Sequence, residues 1–268
     1  MAAYQVENKL EDNTSWNTGG TWILGNRKDQ YLTKINISSN NSGESFIGTV
    51  AYNDGKLLNF RARLDIDNMY RAEIRSRDSI NSWQSDGIWV IGNRKKQRCT
   101  ELNISSGNGE NILVGTVKYE GEDKIDFKGN YISSYSIENH WGKDTAPWHF
   151  GGVWVLSSRI NQKVRAIDII SEDDGESFSG SIQYSGEEMK FLKAKRILGN
   201  NYEVYNKCGS GTSSWYRCGD MIIGGRDNQR VIKLEFNSDN KGNDLYGNMI
   251  YEDESTIGFR ASLIEQIE

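Results

Sequence analysis

The sequence predicts an all-β protein made of two tandem antiparallel β-barrels of about ten strands, each barrel built from two copies of one repeat. Three observations predict this architecture: one motif recurs four times, apolar and charged residues alternate within the copies, and polar clusters separate the alternating segments. Sheets this regular would leave unpaired edges if they stayed open, and closure into barrels is the simplest way to remove those edges.

The repeat is the motif W-x(5)-W-x(2)-G-x-R-x(2)-Q-x(21)-Y, whose arginines are Arg27, Arg94, Arg159 and Arg226. Successive arginines are 67, 65 and 67 residues apart. A fixed period of this length indicates a supersecondary unit that buries its apolar face against a neighbouring unit. We therefore predict a first barrel over residues 1–134 and a second barrel over residues 135–268.

Each copy has the periodicity of β-strands. From Phe60 to Ile66, apolar and polar residues alternate strictly, as in a half-buried strand. Polar clusters such as Asn40–Gly43 and Asp173–Gly175 are typical of hairpin turns. The first copy is thus predicted to contain five strands, near Tyr4–Asn8, Thr21–Gly25, Leu32–Ser39, Phe46–Tyr52 and Asn59–Leu64.

Composition and charge argue against several classes of protein. The net charge of −5 gives no basic surface for nucleic acid or for an acidic membrane. No apolar run approaches the ~20 residues of a membrane span, and the first residues contain no apolar signal region. We therefore expect a monomer that binds no nucleic acid, does not insert into membranes, and is cytoplasmic or released without a Sec signal peptide.

Catalytic and metal-binding patterns are missing from the sequence. The two histidines, His140 and His149, belong to no cluster with ligand spacing, and no nucleophile elbow or phosphate-binding loop occurs. Cys99 is interpreted as a small strand residue rather than a nucleophile. Its position is held in the other copies by Leu32, Val164 and Val231. We expect no enzyme activity, no metal and no cofactor.

The third copy carries side chains suited to carbohydrate. Sugar recognition needs an aromatic plane for the apolar face of the ring, and charged planar groups for bidentate hydrogen bonds to adjacent hydroxyls. It also needs glycine where the backbone must approach the ligand. The third copy has these groups in Trp141, Gly142, Arg159, Gln162 and Glu187.

These residues lie in the pattern E-N-x-W-G-x(3)-A-P-W-x-x-G-G-x-W-x-L-x(2)-R-x-x-Q, followed by G-x-x-x-Y-x-G-E. The pattern resembles the repeat of the Oscillatoria agardhii agglutinin family of high-mannose-binding lectins, and four copies resemble its tandem members. The resemblance spans Tyr4 to Leu263 and implies two compact barrels with sugar sites at their ends. It also implies that each site combines the Trp-Gly turn of one copy with the Arg and Glu of its partner copy. The implied ligand is the branched mannose core of high-mannose N-glycans, bound without metal.

Carried over residue by residue, the resemblance implies sites of unequal quality. The nearly complete site contains Trp141, Gly142, Arg226 and Glu254. The first partial site contains Cys208, Gly209, Arg159 and Glu187, and the second contains Leu10, Arg94 and Glu122. The fourth site has Ser76 in place of the turn tryptophan and Gly55 in place of the glutamate, beside Arg27, and is expected to be inactive.

Several repeated residues have a structural alternative. One tryptophan position is expected in the core because methionine replaces it in the fourth copy, and its residues are Trp22, Trp89, Trp154 and Met221. The tryptophan that opens each motif is kept where binding residues are lost, which favours packing in the core or at the rim, and its residues are Trp16, Trp83, Trp148 and Trp215. The repeated arginines are equally compatible with a structural hydrogen-bonding role. The third copy is interpreted as one residue short between Tyr184 and Phe191, a difference that would reshape the Glu187 loop.

Two function classes stay open beside a mannose-binding lectin. The loss of three turn tryptophans would permit a barrel scaffold that acts in protein–protein adhesion with little sugar binding. A glycosidase is disfavoured, since two carboxylates at a defined separation cannot be inferred from the sequence. Similarity of fold alone would not establish sugar binding.

Overall fold

The computed structural model describes residues 2–9, 16–25, 30, 32–76, 82–92, 94, 97–106, 112–132, 134–140, 148–156, 163–207, 214–224, 229–238, 242–252 and 256–264. Every regular element in these ranges is a β-strand. No helix in this part of the chain is long and apolar enough to cross a membrane. The chain divides into two compact units, Met1–Tyr131 and Ile132–Glu268.

The first unit is a closed antiparallel barrel. Its strands are β1 (Ala2–Lys9), β2 (Trp16–Leu24), β3 (Leu32–Ser38), β4 (Ser45–Tyr52), β5 (Leu57–Ile66), β6 (Met69–Ser76), β7 (Gln84–Val90), β8 (Cys99–Ser106), β9 (Ile112–Tyr119) and β10 (Lys124–Ile132). Their order around the barrel is β1-β10-β9-β8-β3-β4-β5-β6-β7-β2. The pair Ile23–Val90 joins β2 to β7.

The second unit repeats this arrangement. Its strands are β11 (Ser134–His140), β12 (His149–Trp154), β13 (Val164–Ile170), β14 (Ser177–Tyr184), β15 (Lys190–Leu198), β16 (Asn201–Lys207), β17 (Tyr216–Ile222), β18 (Val231–Ser238), β19 (Asp244–Tyr251) and β20 (Thr256–Ile264). They form a ten-stranded sheet in the order β12-β11-β20-β19-β18-β13-β14-β15-β16-β17. Its edges meet where Val155 and Ile222 exchange backbone hydrogen bonds of 3.0 and 2.7 Å. The prediction of an all-β chain with two ten-stranded barrels is confirmed.

The two copies within each barrel interlock. The first copy supplies β1 to β5 and the second β6 to β10, yet β1 lies beside β10 and β2 beside β7. The first hairpin of each copy therefore pairs with strands of the other copy. The Tyr70 hydroxyl donates a 2.8 Å hydrogen bond across the copies to the carbonyl oxygen of Gly43, and Tyr202 does the same to Gly175 at 2.9 Å. Each copy thus supplies neighbouring strands for the first hairpin of its partner copy, as expected for a unit that cannot bury its apolar face alone.

A β-bulge interrupts the first hairpin of each barrel half. In the first copy the register shifts between Val6 and Glu7, and Gly20 on the opposite strand has φ 82°. In the second copy the corresponding glycine is Gly87, with φ 75°. Glycine adopts this left-handed backbone at little cost, so it is suited to a bulge. β2 begins at Trp16, five residues before the predicted start, and the strand continues through the bulge.

The predicted core tryptophans fill the barrels. All residues at this position are at most 1% exposed, and they are Trp22, Trp89, Trp154 and Met221. Trp22 packs on Phe127 with ring centroids 5.1 Å apart, and Trp89 packs on Phe60 at 4.6 Å. Each ring pair joins the two copies, so the core prediction is confirmed. Cys99 is also buried in a strand, and burial raises the pKa of its thiol to about 12, which agrees with a structural residue.

The glycine that recurs in the middle of one strand per copy marks a close approach of two strands. A Cβ atom on Gly115 would lie 1.9 Å from the carbonyl oxygen of Asn103, and one on Gly247 would lie 2.0 Å from that of Glu235. Real Cβ atoms do not come this close to a backbone atom. The repeated glycine is therefore required by the sheet and not by a ligand.

Candidate functional site

One end of the first barrel brings together residues of both copies. β1 of the first copy ends at Lys9, whose ammonium lies 3.7 Å from the carboxylate of Asp126 at the start of β10. At the same end, β8 begins beside the last residue of β9. The chain therefore passes this end after β1, before β8 and between β9 and β10. Arg94 lies before β8 and Glu122 lies between β9 and β10.

Arg94 and Glu122, which the sequence assigns to one partial site, form a closed ring of hydrogen bonds with Gln97. The Nη1 atom of Arg94 donates to Oε2 of Glu122 at 2.6 Å and to Oε1 of Gln97 at 3.0 Å. The Nε2 atom of Gln97 donates to Oε1 of Glu122 at 2.7 Å. Both carboxylate oxygens of Glu122 are thus held by neighbours of fixed orientation, which positions a planar polar group at the barrel end.

The ring of Tyr119 packs against the guanidinium group of Arg94. The guanidinium carbon of Arg94 lies 3.9 Å from the centroid of the Tyr119 ring, within the range of a cation–π contact. The Tyr119 hydroxyl accepts a 3.3 Å hydrogen bond from the side-chain amide of Asn8 in the first copy. Burial is the largest influence on Tyr119 and raises the pKa of its hydroxyl, so the phenol stays neutral. Arg94 therefore packs on the ring of Tyr119, and Asn8 of the other copy holds the hydroxyl of that ring.

The charge state of Glu122 suits hydroxyl recognition. Burial pushes the pKa of Glu122 upward, but hydrogen bonds from Gln97 and Arg94 outweigh it and leave the pKa below its ordinary value. Glu122 is therefore an acceptor at neutral pH. The side chains of Arg94 and Glu122 are 32% and 29% exposed, so both can still reach a ligand. A donor and an acceptor held side by side match two adjacent hydroxyls of a sugar ring.

Several predicted site residues lie outside the described part of the chain. They include the whole nearly complete site, Trp141, Gly142, Arg226 and Glu254. They also include Leu10 of the first-barrel site, Arg27 of the site that is expected to be inactive, and the partial-site residues Cys208, Gly209 and Arg159. Among the residues that the structure describes, no group of three His, Cys, Asp or Glu side chains could hold a metal ion.

Glu187 of the second barrel occupies the same turn position as Glu122. Its backbone amide donates to the carbonyl oxygen of Tyr184 at 3.1 Å, as the amide of Glu122 does to Tyr119 at 3.2 Å. The carboxylate of Glu187 forms an ion pair with Lys190. Lys190 was not singled out by the sequence analysis. An alignment of the copies reveals it, because the same position holds Leu58, Ile125 and Ile257.

The turn of the site that is expected to be inactive has a different backbone. The residue with left-handed φ is Gly121 at 76° in the second copy and Gly186 at 78° in the third, each directly before the glutamate. In the first copy it is Gly55 itself, with φ 73°. The glutamate position of the first copy therefore has a conformation that favours glycine.

An asparagine that donates a hydrogen bond to the buried tyrosine hydroxyl of each barrel was also missed by sequence reasoning. Asn206 donates to the Tyr184 hydroxyl at 3.2 Å, as Asn8 does to Tyr119 in the first barrel. The second copy has Ile74 at this position, and the hydroxyl of its partner Tyr52 instead donates to the buried carboxylate of Asp86 at 2.7 Å. Alignment of the copies, which shows Asn8, Ile74, Asn139 and Asn206 in register, is the signal that finds it.

The tryptophan that opens each copy does not lie in the core. Trp16 is 44% exposed and Trp148 is 38% exposed, so the core alternative is wrong for them. Three of the four rings at this position lie in cation–π contact with a cation of the partner copy. The distances from the cation to the ring centroid are 4.4 Å for Arg61 and Trp83, 4.6 Å for Arg260 and Trp148, and 4.8 Å for Lys193 and Trp215. A cation–π contact between copies explains why these rings persist where binding residues are lost.

The third copy is not shortened after Tyr184. Leu192 is 1% exposed, like Phe60 and Phe127, whereas Phe191 is 50% exposed. Leu192 thus stands eight positions after Tyr184, as Phe60 stands eight after Tyr52. The interpretation of a missing residue was wrong because it aligned phenylalanine with phenylalanine and ignored the buried face of the strand.

Comparison with known proteins finds the same four units. A family model described as the OAA-family lectin sugar binding domain matches residues 2–65, 68–132, 133–194 and 200–264. The myxobacterial hemagglutinin of Myxococcus xanthus is 39% identical over 98% of this chain and 100% of the relative. Lectin ESA-2 of Eucheuma serra is 36% identical over 96% of this chain and 97% of its own length. Lectin OAA of Planktothrix agardhii is 42% identical over 44% of this chain and 92% of its own length.

Two solved structures are similar over nearly the whole chain. The Myxococcus xanthus hemagglutinin in complex with a3,a6-mannopentaose matches with a TM-score of 0.74 and 38% identity, covering 98% of this chain and 100% of the other. The Burkholderia oklahomensis agglutinin matches with a TM-score of 0.75 and 37% identity, covering 98% of this chain and 95% of the other.

Proposed function

This chain belongs to the OAA family of lectins, and we propose that it recognises high-mannose-type glycans at the ends of its two barrels. Family membership makes it a carbohydrate-binding lectin and not an enzyme. The proposed glycan class and the proposed position of the sites rest mainly on one observation. This is the ring of Arg94, Gln97 and Glu122 on Tyr119, a donor and acceptor pair that the second copy presents at a barrel end.

The chemistry of that ring favours a sugar with adjacent hydroxyls. Arg94 and Glu122 form a matched pair with little net charge, so they have no preference for an anion or a cation but can bind a donor–acceptor hydroxyl pair. The relative from Myxococcus xanthus is described in complex with a mannopentaose, which supports a mannose ligand for this chain. We propose that the ligand is bound by side chains alone, without a metal ion.

The second barrel is proposed to hold the strongest site. It would combine Trp141 and Gly142 of the third copy with Arg226 and Glu254 of the fourth, the complete set of groups that stack on and hydrogen-bond a sugar. A buried tryptophan face contributes roughly 2 kcal/mol, so Trp141→Ala should weaken glycan binding by about thirtyfold. Arg27→Ala is the matched control, because its predicted companions are Ser76 and Gly55.

A glycan array with a free mannan competitor tests the proposal. Signals on high-mannose structures that mannan abolishes, and that persist in EDTA, are expected. No signal on any mannose glycan would reject the proposal and favour the adhesion-scaffold alternative. Loss of binding in EDTA that calcium or zinc restores would reject the metal-free mechanism. Equal binding by the parent and Trp141→Ala would reject the assignment of the strongest site.

A further inference from the structure

Two ion pairs link β1 and β10 on the outer face of the first barrel. The ammonium of Lys9 lies 3.7 Å from a carboxylate oxygen of Asp126, and that of Lys128 lies 3.3 Å from one of Glu7. Phe127, between the two β10 residues, is buried, so the paired side chains point away from the core. Both lysines on this face therefore have an opposite charge beside them.

The corresponding strands of the second barrel, β16 and β15, keep both lysines and lack both carboxylates. In their register, Phe191 lies opposite Lys207 and Lys193 lies opposite Tyr205. Alignment of the copies places the two aromatic residues at the positions that the carboxylates hold in the first barrel. An aromatic ring thus replaces each carboxylate.

The position of Lys193 holds a paired cation in every other copy. The pairs are Arg61 with Glu73 at 2.6 Å, Lys128 with Glu7 at 3.3 Å, and Arg260 with Glu138 at 2.5 Å. Only opposite Lys193 is the glutamate replaced by a tyrosine. The same fold forms with a glutamate at this position, so the replacement is not required by the barrel.

The replacements leave a positive surface on the outer face of β15 and β16. In the part of the chain that the structure describes, Lys193, Lys195 and Lys207 form no ion pair with a carboxylate. Lys195 lies opposite Glu203, but Arg217 holds the carboxylate of Glu203 at 2.5 Å. Residues 190–207 include five Lys or Arg and one acidic residue, in a chain of net charge −5. A local excess of positive charge on an acidic chain favours an anionic partner.

Three aromatic residues lie beside these lysines. Phe191 is 50% exposed, Tyr205 lies opposite Lys193, and the ring centroid of Trp215 is 4.8 Å from the Lys193 ammonium. A hydrogen bond to Glu203 raises the pKa of the Tyr205 hydroxyl, so this ring stays neutral. Planar rings beside cations offer both a stacking surface and a charge to a ligand.

We propose that the outer face of β15 and β16 binds an anionic polysaccharide. Lys193, Lys195 and Lys207 would hold its sulfate or carboxylate groups, while Phe191 and Tyr205 would pack against its sugar rings. This surface is the outer wall of the barrel, because the residues that alternate with it on β15, such as Leu192, are buried. It is thus separate from the sites proposed at the barrel ends.

The spacing of the charges favours a polysaccharide over nucleic acid. Lys193 and Lys195 are about 6.8 Å apart along β15, since a strand rises about 3.4 Å per residue. A polysaccharide with one anionic group per sugar ring also separates its charges by a whole ring, with an apolar ring face between them. Duplex DNA carries one charge per about 1.7 Å of its axis, and the acidic remainder of this chain would repel a polymer of that charge density.

Three dextrans test the surface with the full-length chain: dextran sulfate, carboxymethyl dextran and uncharged dextran. The chain should bind the two charged polymers and not the uncharged one, and added salt should weaken binding. Phe191→Asp with Tyr205→Glu rebuilds the ion pairs of the first barrel and should lower the association constant about tenfold or more. Lys193→Gln with Lys207→Gln should cause a similar loss. Unfolding midpoints within about two degrees of the parent confirm that the variants are folded.

A matched control separates this surface from the net charge of the chain. Ile47→Asp with Val114→Glu adds the same charge at exposed positions of the first barrel and should keep the association constant within about twofold. Equal losses in this control and in Phe191→Asp with Tyr205→Glu would overturn the assignment of the surface. Binding of uncharged dextran as tight as that of the charged polymers would overturn it as well.

Two competitors identify the class of ligand. Dextran contains no mannose, so α3,α6-mannopentaose should not displace dextran sulfate, and displacement would overturn the separate surface. Single-stranded polythymidylate should bind more weakly than dextran sulfate. Tighter binding of the polythymidylate, lost in Lys193→Gln with Lys207→Gln, would overturn the polysaccharide assignment in favour of nucleic acid. Binding to charged dextran does not depend on the proposed function, and it would stand even if mannose glycans failed to bind.

Discussion

Arg94 and Glu122 form a 2.6 Å ion pair that ties together the two chain segments flanking β8 and β9 at one barrel end. About a third of each side chain is exposed, so solvent screens the pair and limits its contribution to stability. The same exposure leaves the pair accessible to a ligand. An ion pair that contributes little to the stability of the fold, yet is held in place by Gln97 and Tyr119, is well suited to binding.

Gln97 should act as a positioning residue for this pair. Gln97→Leu removes one hydrogen bond to each partner, and in a background of Glu187→Ala and Glu254→Ala it should weaken binding at the first-barrel site about fivefold. Gln30→Leu is the matched control, since the first copy has Gly55 in place of the glutamate. Calorimetry decides the matter, and equal affinities for the two variants would exclude a positioning role for Gln97.

Acid should remove the contribution of Glu122 to stability. The pKa of Glu122 is lowered in the folded chain, so its contribution is present above the unfolded value of about 4.3 and is lost as pH falls through the lower folded value. The unfolding midpoint of Glu122→Gln should therefore lie below that of the parent at pH 7, and the difference should shrink below about pH 4. A difference that grows on acidification would contradict the lowered pKa.

Gly115→Ala should be among the most destabilising substitutions in the first barrel. Its Cβ would lie 1.9 Å from a backbone oxygen, so two strands must separate, at a cost of about 3 kcal/mol or more. Gly121→Ala is a matched comparison, because its Cβ meets nothing within 4 Å and only its φ of 76° is unfavourable. It should cost about 1 kcal/mol. Urea denaturation measures both, and similar losses would refute the close-approach argument.

Restoring the missing glutamate of the first copy should require two changes. Gly55→Glu alone places a glutamate at φ 73° and should cost about 1 kcal/mol of stability. Adding Asp54→Gly recreates the Gly-Glu order of Gly121 and Glu122 and should recover most of that loss. The free energies of unfolding of the single and double variants provide the test. A single variant as stable as the parent would show that the turn adjusts without the second glycine.

The sequence by itself determined the repeat, the strands and the core. These features depend on local patterns, because a strand with one buried face must alternate and a repeated unit must bury the same face each time. The positions Trp22, Trp89 and Trp154 were therefore predictable from their exchange with Met221. The pairing of Arg94 with Glu122 was available only through resemblance to a family.

The tertiary structure decided the features that depend on partners distant in the chain. Trp148 is stacked under Arg260, which lies 112 positions later, so its local sequence could not distinguish a core ring from an exposed one. β2 continues through a bulge opposite Glu7, and the role of Lys190 depends on which face of β15 turns inward. Interlocking of the copies is the common cause, since the first hairpin of each copy finds its neighbours in the other copy and not in its own sequence.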